Sequence, residues 1–137
     1  MGHRYHPHHR ESRIHRHRRQ VPGHPLDFSH GGGTAPFLIG RFQTQEALMK
    51  ERDSRFPQGV LHEIRKFYYD TAQANHPGAL AALLSIVPPS QVLLGTDYPF
   101  RKPAEEIGGV GAYKFSASEL RAIERENALR LLPRIAA

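Results

Sequence analysis

The stretch Gln91-Val92-Leu93-Leu94-Gly95-Thr96-Asp97-Tyr98-Pro99-Phe100 decides how this chain is read. A short apolar run follows the breaker Pro88-Pro89-Ser90, and its length and bounds suit a buried strand over Gln91–Leu94. The chain leaves that strand at Gly95, so Asp97 stands just past its C-terminal end. A carboxylate in that position is costly unless a cation or hydrogen bonds satisfy it. Its hardness suits Zn²⁺ or Mn²⁺. The same residue would also serve to cap the turn before Pro99, and spacing alone favours the cap.

Outward from that strand, helices and strands alternate. Ser116-Ala117-Ser118-Glu119 has the form of a capping box and opens a last helix to about Leu132, with Leu120, Ile123, Ala128 and Leu131 on its inner side. Residues 103–115 form a Gly-rich connection with room for a helical turn. Towards the N-terminus, His76–Val87 reads as a helix with Asn75 as N-cap and Pro77 in its first turn. Phe67–Thr71 is a strand and Gly59–Lys66 a short helix. Arg52–Gln58 is a charged loop, and Thr34 to about Arg52 a helix with Phe37, Leu38, Phe42, Ala47 and Leu48 as its apolar positions. Leu26–Ser29 is a short strand ending at His30-Gly31-Gly32-Gly33. Strands and helices alternating at this spacing argue for an α/β fold with a parallel sheet, either a barrel or a doubly wound sheet. Three strands cannot close a barrel, and a complete (β/α)₈ barrel takes about 250 residues.

In parallel α/β folds, sites form at the C-terminal ends of strands. His30, Asp70 and Asp97 all fall there. His30 is a general base or a ligand on one reading, and a polar residue in a flexible turn on the other. Asp70 reads as an acid behind the site or as a strand-end residue with local hydrogen bonds, the latter being preferred. His62 is read as surface and His76 as a residue at a helix N-terminus.

The net charge of +6 is unevenly placed. Residues 1–25 hold six arginines, one acid and seven of the ten histidines, whereas the remaining 112 residues are nearly neutral at +1. That tail has too little apolar surface to offset its ordering entropy, so the expected organisation is a disordered basic tail over 1–25 and a folded domain over 26–137. Nucleic-acid binding is not expected of the body and would fall to the tail alone. The irregular spacing of His3, His6, His8, His9, His15 and His17 argues against a metal tract. There is no cysteine, hence no disulfide framework and no thiolate metal site. No apolar run reaches the roughly 20 residues of a membrane span, and no apolar segment follows the N-terminal charges. The expected location is the cytoplasm.

Five segments in order carry a resemblance. Ser29-His30-Gly31-Gly32-Gly33-Thr34-Ala35-Pro36-Phe37, Gly40-Arg41-Phe42, Phe67-Tyr68-Tyr69-Asp70-Thr71-Ala72, Val92–Phe100 and Glu126-Asn127-Ala128-Leu129-Arg130-Leu131 together span most of the body. They resemble the amidohydrolase-related, metal-dependent decarboxylases (amidohydrolase family 2), and are similar to the aminocarboxymuconate-semialdehyde and 6-methylsalicylate decarboxylases. The resemblance implies a (β/α)₈ TIM-like barrel, of which this chain would be the C-terminal part, about three βα units. It implies one divalent metal, Zn²⁺ or else Mn²⁺, at the C-terminal face. In the family two histidines of an H-x-H after the first strand, a histidine after the fifth and an aspartate after the eighth hold that metal. Asp97 matches the aspartate. His30 matches the histidine after the sixth strand, which handles the metal-bound water or the proton given to the substrate. Arg41 matches an arginine that, in the aminocarboxymuconate enzyme, reaches a substrate carboxylate across a dimer interface; as a plain reading it is a surface helix arginine.

The resemblance therefore implies a carboxy-lyase or hydrolase acting on a small carboxylate-bearing, aromatic or dienoic substrate, in a homodimer. No H-x-H follows an apolar strand here: His6-Pro7-His8 and His15-Arg16-His17 have the spacing but lie in the tail. A truncated and inactive form is the corresponding expectation. The alternative is a non-enzymatic half-barrel that associates with itself or with another chain.

Overall fold

The computed structural model describes residues 25–135. The tail reading over residues 1–24 lies outside them. Three parallel strands, β1 (Asp27–Phe28), β2 (Tyr68–Asp70) and β3 (Val92–Leu93), form one sheet in the order β1-β2-β3. Asp27 pairs with Tyr68, Phe28 with Tyr69, Tyr69 with Val92 and Asp70 with Leu93. Helical segments join them: α1 (Ala35–Ala47), α2 (Arg52–Arg55) and α3 (Val60–Ile64) between β1 and β2, and α4 (Pro77–Leu84) between β2 and β3. After β3 come α5 (Pro103–Gly111), α6 (Ala117–Arg121), a π-helical turn (Ala122–Glu126) and α7 (Asn127–Leu131). The strand–helix alternation read from the sequence is thus present.

Alternation along each strand gives the sheet two unlike faces. Phe28, Tyr69 and Val92 turn towards the helices and join Leu83, Ile86, Val87, Val110 and Ile123 in the core. Phe28 meets the edge of Phe67 at 4.9 Å and stacks on Tyr69 at 5.9 Å. Leu80 and Leu83 of α4 are fully buried. Each such side chain contributes about 2 kcal/mol of transfer free energy. Asp27, Tyr68, Asp70 and Leu93 occupy the opposite face by the same alternation.

Several details depart from the sequence reading. α1 ends at Ala47 rather than near Arg52, and the stretch expected to be a loop contains the short helix α2. Arg52 there donates to the buried Glu46, whose second oxygen accepts from the Val60 amide, so one carboxylate ties α1 to the start of α3. α4 is capped by His76, whose Nδ1 accepts from Gly78 N at 3.1 Å. Asn75 instead donates to the Glu105 carbonyl, reaching over to α5. The Gly-rich connection is a full helix, α5, opened by Pro103.

The capping box is present as read: Ser116 accepts from Glu119 N while Glu119 accepts from Ser116 N. The helix it opens is interrupted by the π turn, where the Ile123 carbonyl accepts the Leu94 amide at 3.0 Å. A helix carbonyl thereby satisfies a donor at the end of β3. One turn on, fully buried Asn127 donates to the carbonyls of Pro89 and Val92 at 2.8 and 2.6 Å. These bonds fix β3, and the turn that follows it, against the last helix.

Candidate functional site

Each strand delivers one residue to the C-terminal edge of the sheet in a left-handed conformation. His30 follows β1 with φ 60°, Gln73 follows β2 with φ 52°, and Asp97 follows β3 with φ 53°. Among the described residues these are all the non-glycine residues with positive φ. Such conformations cost of order 1–3 kcal/mol each and collect where a structure holds a functional group in place.

The sequence after each strand explains the turns. Past His30 the backbone stays left-handed through Gly31, Gly32 and Gly33. At Gly32 a Cβ would fall 2.8 Å from the Tyr69 ring, so the loop lies flat on that aromatic. Asp70, at the end of β2, accepts through one oxygen from His30 N at 2.9 Å and from Ala72 N at 3.0 Å. The sequence reading preferred local hydrogen bonds for Asp70; it makes one of these and one to His30 across the sheet.

The His30 ring is placed by a second bond, from Nδ1 to the Ala72 carbonyl at 2.9 Å. A carbonyl only accepts, so Nδ1 carries the proton. In the neutral ring Nε2 then holds the lone pair.

Asp97 sits in a turn closed by its own carbonyl, which accepts from Phe100 N at 2.8 Å and Arg101 N at 3.1 Å. Tyr98-Pro99 is a cis peptide. Arg101 is held in turn by Glu105 and by the fully buried Glu106 on α5. The Asp97 carboxylate accepts from the Gln73 amide. Gln73 carries no motif signal, and the sequence reading passed over it.

β1 and β3 flank β2, so His30 and Asp97 follow the strands on either side of it. Arg41 is not part of this cluster. It lies exposed on α1, on one helical stripe with Phe37 and Leu48, which are 87 % and 73 % exposed. His62 lines a shallow polar depression with Glu46, Arg52 and Arg65, away from the strand ends.

The described residues do not make a metal site alone, for no three His, Cys, Asp or Glu among them converge. Asp97 offers a single carboxylate. Its carboxylate is oriented by an amide, as ligating carboxylates are by their neighbours.

Asp27 opens β1 on the face of the sheet that Asp70 shares. Partial burial pushes its carboxyl up to about 6 from an ordinary 3.8, with the charge of Asp70 adding to the rise and a bond from the Phe28 backbone opposing it. The folded chain thus binds a proton more tightly than the unfolded one between about pH 4 and pH 6, and stability falls as pH rises through that window. Asp27→Asn is expected to flatten this slope, with its stabilising effect fully present above pH 6 and gone below pH 4. Urea unfolding of both proteins at four pH values checks the sign.

This geometry has relatives. The amidohydrolase family model matches residues 8–134, and the chain belongs to that family. It is 34 % identical over 118 residues to the 6-methylsalicylic acid decarboxylase of Penicillium expansum, a match covering 83 % of this chain and 36 % of that protein. It is 29 % identical over 109 residues to the 2-amino-3-carboxymuconate-6-semialdehyde decarboxylase of Caenorhabditis elegans, covering 78 % and 27 %. Among solved structures it is similar to a dihydroxybenzoic acid decarboxylase from Polaromonas sp. JS666 with bound manganese and the inhibitor 2-nitroresorcinol. The TM-score there is 0.73 at 19 % identity, over 88 % of this chain and 37 % of that one. The chain spans about a third of the length of these relatives. Its fold is that of about three βα units of their barrel.

Proposed function

We propose that this chain carries the His30 and Asp97 portion of a metal-dependent carboxy-lyase site for a small aromatic or dienoic carboxylate. The observation that carries this reading is the pair of left-handed residues, His30 and Asp97, set at strand ends on either side of β2. Asp97 would be one ligand of a divalent ion, Zn²⁺ or Mn²⁺. When bound, that ion supplies positive charge to the substrate's oxygens.

The chain's own part is positioning and proton transfer. Asp70 and Ala72 fix the His30 backbone and ring, leaving Nε2 directed away from its carbonyl partner. Protonated at Nε2, His30 gives its proton to the carbon that loses CO₂; the electron pair of the broken C–C bond becomes the new C–H bond. Hydrolysis by the same groups is the neighbouring reaction within the family. Arg41 would meet a substrate carboxylate of a partner copy, with the exposed Phe37 and Leu48 beside it as dimer contacts in a cytoplasmic homodimer.

Release of CO₂ from 2-hydroxybenzoates or dienoic carboxylates is expected only with Mn²⁺ or Zn²⁺ and in an assembly that supplies the remaining ligands, with turnover lost on chelation. Release that persists without metal would reject the reading. A non-enzymatic half-barrel that associates is the second reading, favoured by Phe37, Tyr98 and Phe100, each at least 75 % exposed. Size-exclusion chromatography showing a well-folded monomer would count against it.

A further inference from the structure

We infer that Gln73 is a positioning residue for Asp97, which the motifs of the sequence do not mark. Gln73 is the left-handed residue of the middle strand end, and its side-chain amide donates to the Asp97 carboxylate. Twenty-four residues separate the two, and the bond links the turn after β2 to the turn after β3. A glutamine has no intrinsic preference for φ 52°, a conformation that favours glycine and, among other residues, asparagine and aspartate. If only the turn mattered, glycine would serve better at this position.

The rest of the turn is fixed without the glutamine side chain. Ala74 N donates to Thr71 O at 2.8 Å, and Ala72 N to Asp70 at 3.0 Å. Buried Thr71 bridges to β3, accepting from Gly95 N at 3.1 Å. The side chain of Gln73 is therefore spent on Asp97 and not on closing its own loop. An amide donor on one carboxylate oxygen sets the plane of the group and leaves the other oxygen to a cation. This inference rests on the reading of Asp97 as a metal ligand, and it adds the residue that aims the ligand.

Gln73→Gly separates the two roles in the full chain, because it removes the amide and relieves the backbone together. Its melting temperature is expected to equal or exceed that of the unaltered chain. Its affinity for Mn²⁺, followed by electron paramagnetic resonance of the free ion, is expected to fall about 10-fold or more. Unchanged Mn²⁺ affinity in Gln73→Gly would overturn the inference. A second readout does not involve metal. The side-chain amide protons of Gln73 are expected to lie downfield by NMR in the metal-free chain and to return to the ordinary range in Asp97→Leu. If the unaltered chain takes up no Mn²⁺, the metal reading of Asp97 fails on that result. The Gln73–Asp97 pairing is then decided by the amide signal: a shift lost in Asp97→Leu sustains it, and an ordinary position in the unaltered chain refutes it.

Discussion

His30→Asn is expected to lower turnover by about 10²- to 10⁴-fold, the usual contribution of a positioned acid–base group, while the fold survives. The argument turns on what asparagine keeps. Asparagine tolerates the left-handed conformation better than most residues, so φ 60° remains accessible. Its side-chain NH₂ can stand where Nδ1 stands and donate to the Ala72 carbonyl. The backbone amide at position 30 still donates to Asp70. Only the outer nitrogen of the ring is lost, and with it the proton. His30→Ala is the contrasting variant: it removes the proton, the bond to Ala72 and the tolerance for positive φ together. The expected pattern is equal turnover loss in both variants and a lower melting temperature in the alanine variant alone. Turnover in His30→Asn within threefold of the unaltered chain would remove His30 from the chemistry and leave it as a turn residue.

Much of this architecture is written in local signals. The apolar run Val92-Leu93-Leu94 between a Pro-Pro breaker and a glycine reads as a short buried element, and its first two residues are β3. Ser116 and Glu119 satisfy each other's backbone over a fixed three-residue spacing, so that helix start was readable from four letters. His30 and Asp97 were legible for a different reason, since strand ends in parallel folds are where polar groups remain near solvent.

What was not legible depends on contacts between distant residues. The choice of His76 over Asn75 as the cap of α4 is made by α5, which packs so close that a Cβ on Gly109 would lie 2.5 Å from the Asn75 amide. Asn75 is drawn to the Glu105 carbonyl, and the imidazole beside it takes the cap. The π turn likewise answers a donor just past β3, the Leu94 amide 29 residues before Ile123, and nothing in Ala122–Glu126 announces it. Gln73 escaped because its partner is a residue on another strand and its backbone conformation has no sequence signature in glutamine.

Gly95→Ala is expected to cost about 2 kcal/mol of stability and to disturb His30 in the same step. The backbone at Gly95 approaches the end of β2 so closely that a Cβ would lie 2.8 Å from Asp70 Cγ and 2.9 Å from the Ala72 amide nitrogen. A flexible side-chain tip could swing away freely, but neither of these atoms can move without breaking hydrogen bonds. The Asp70 carboxylate is held by two amides, and the Ala72 amide is backbone. Relief must come from separating β2 from β3, which loosens the Thr71–Gly95 bonds, or from rotating Asp70 off His30. Either motion displaces a residue of the candidate site: the first moves Asp97 relative to Gln73, the second releases the His30 backbone from its left-handed turn. Gly40→Ala supplies the control, because a Cβ there meets no atom within 4 Å and helix propensity favours alanine over glycine inside α1. Denaturant unfolding should place Gly95→Ala well below the unaltered chain and Gly40→Ala slightly above it. NMR should show the His30 and Ala72 amides shifted only in the former. Equal stability of the two variants would mean that the strand ends stand further apart than 2.8 Å allows, and the geometry assigned to the site would have to be redrawn.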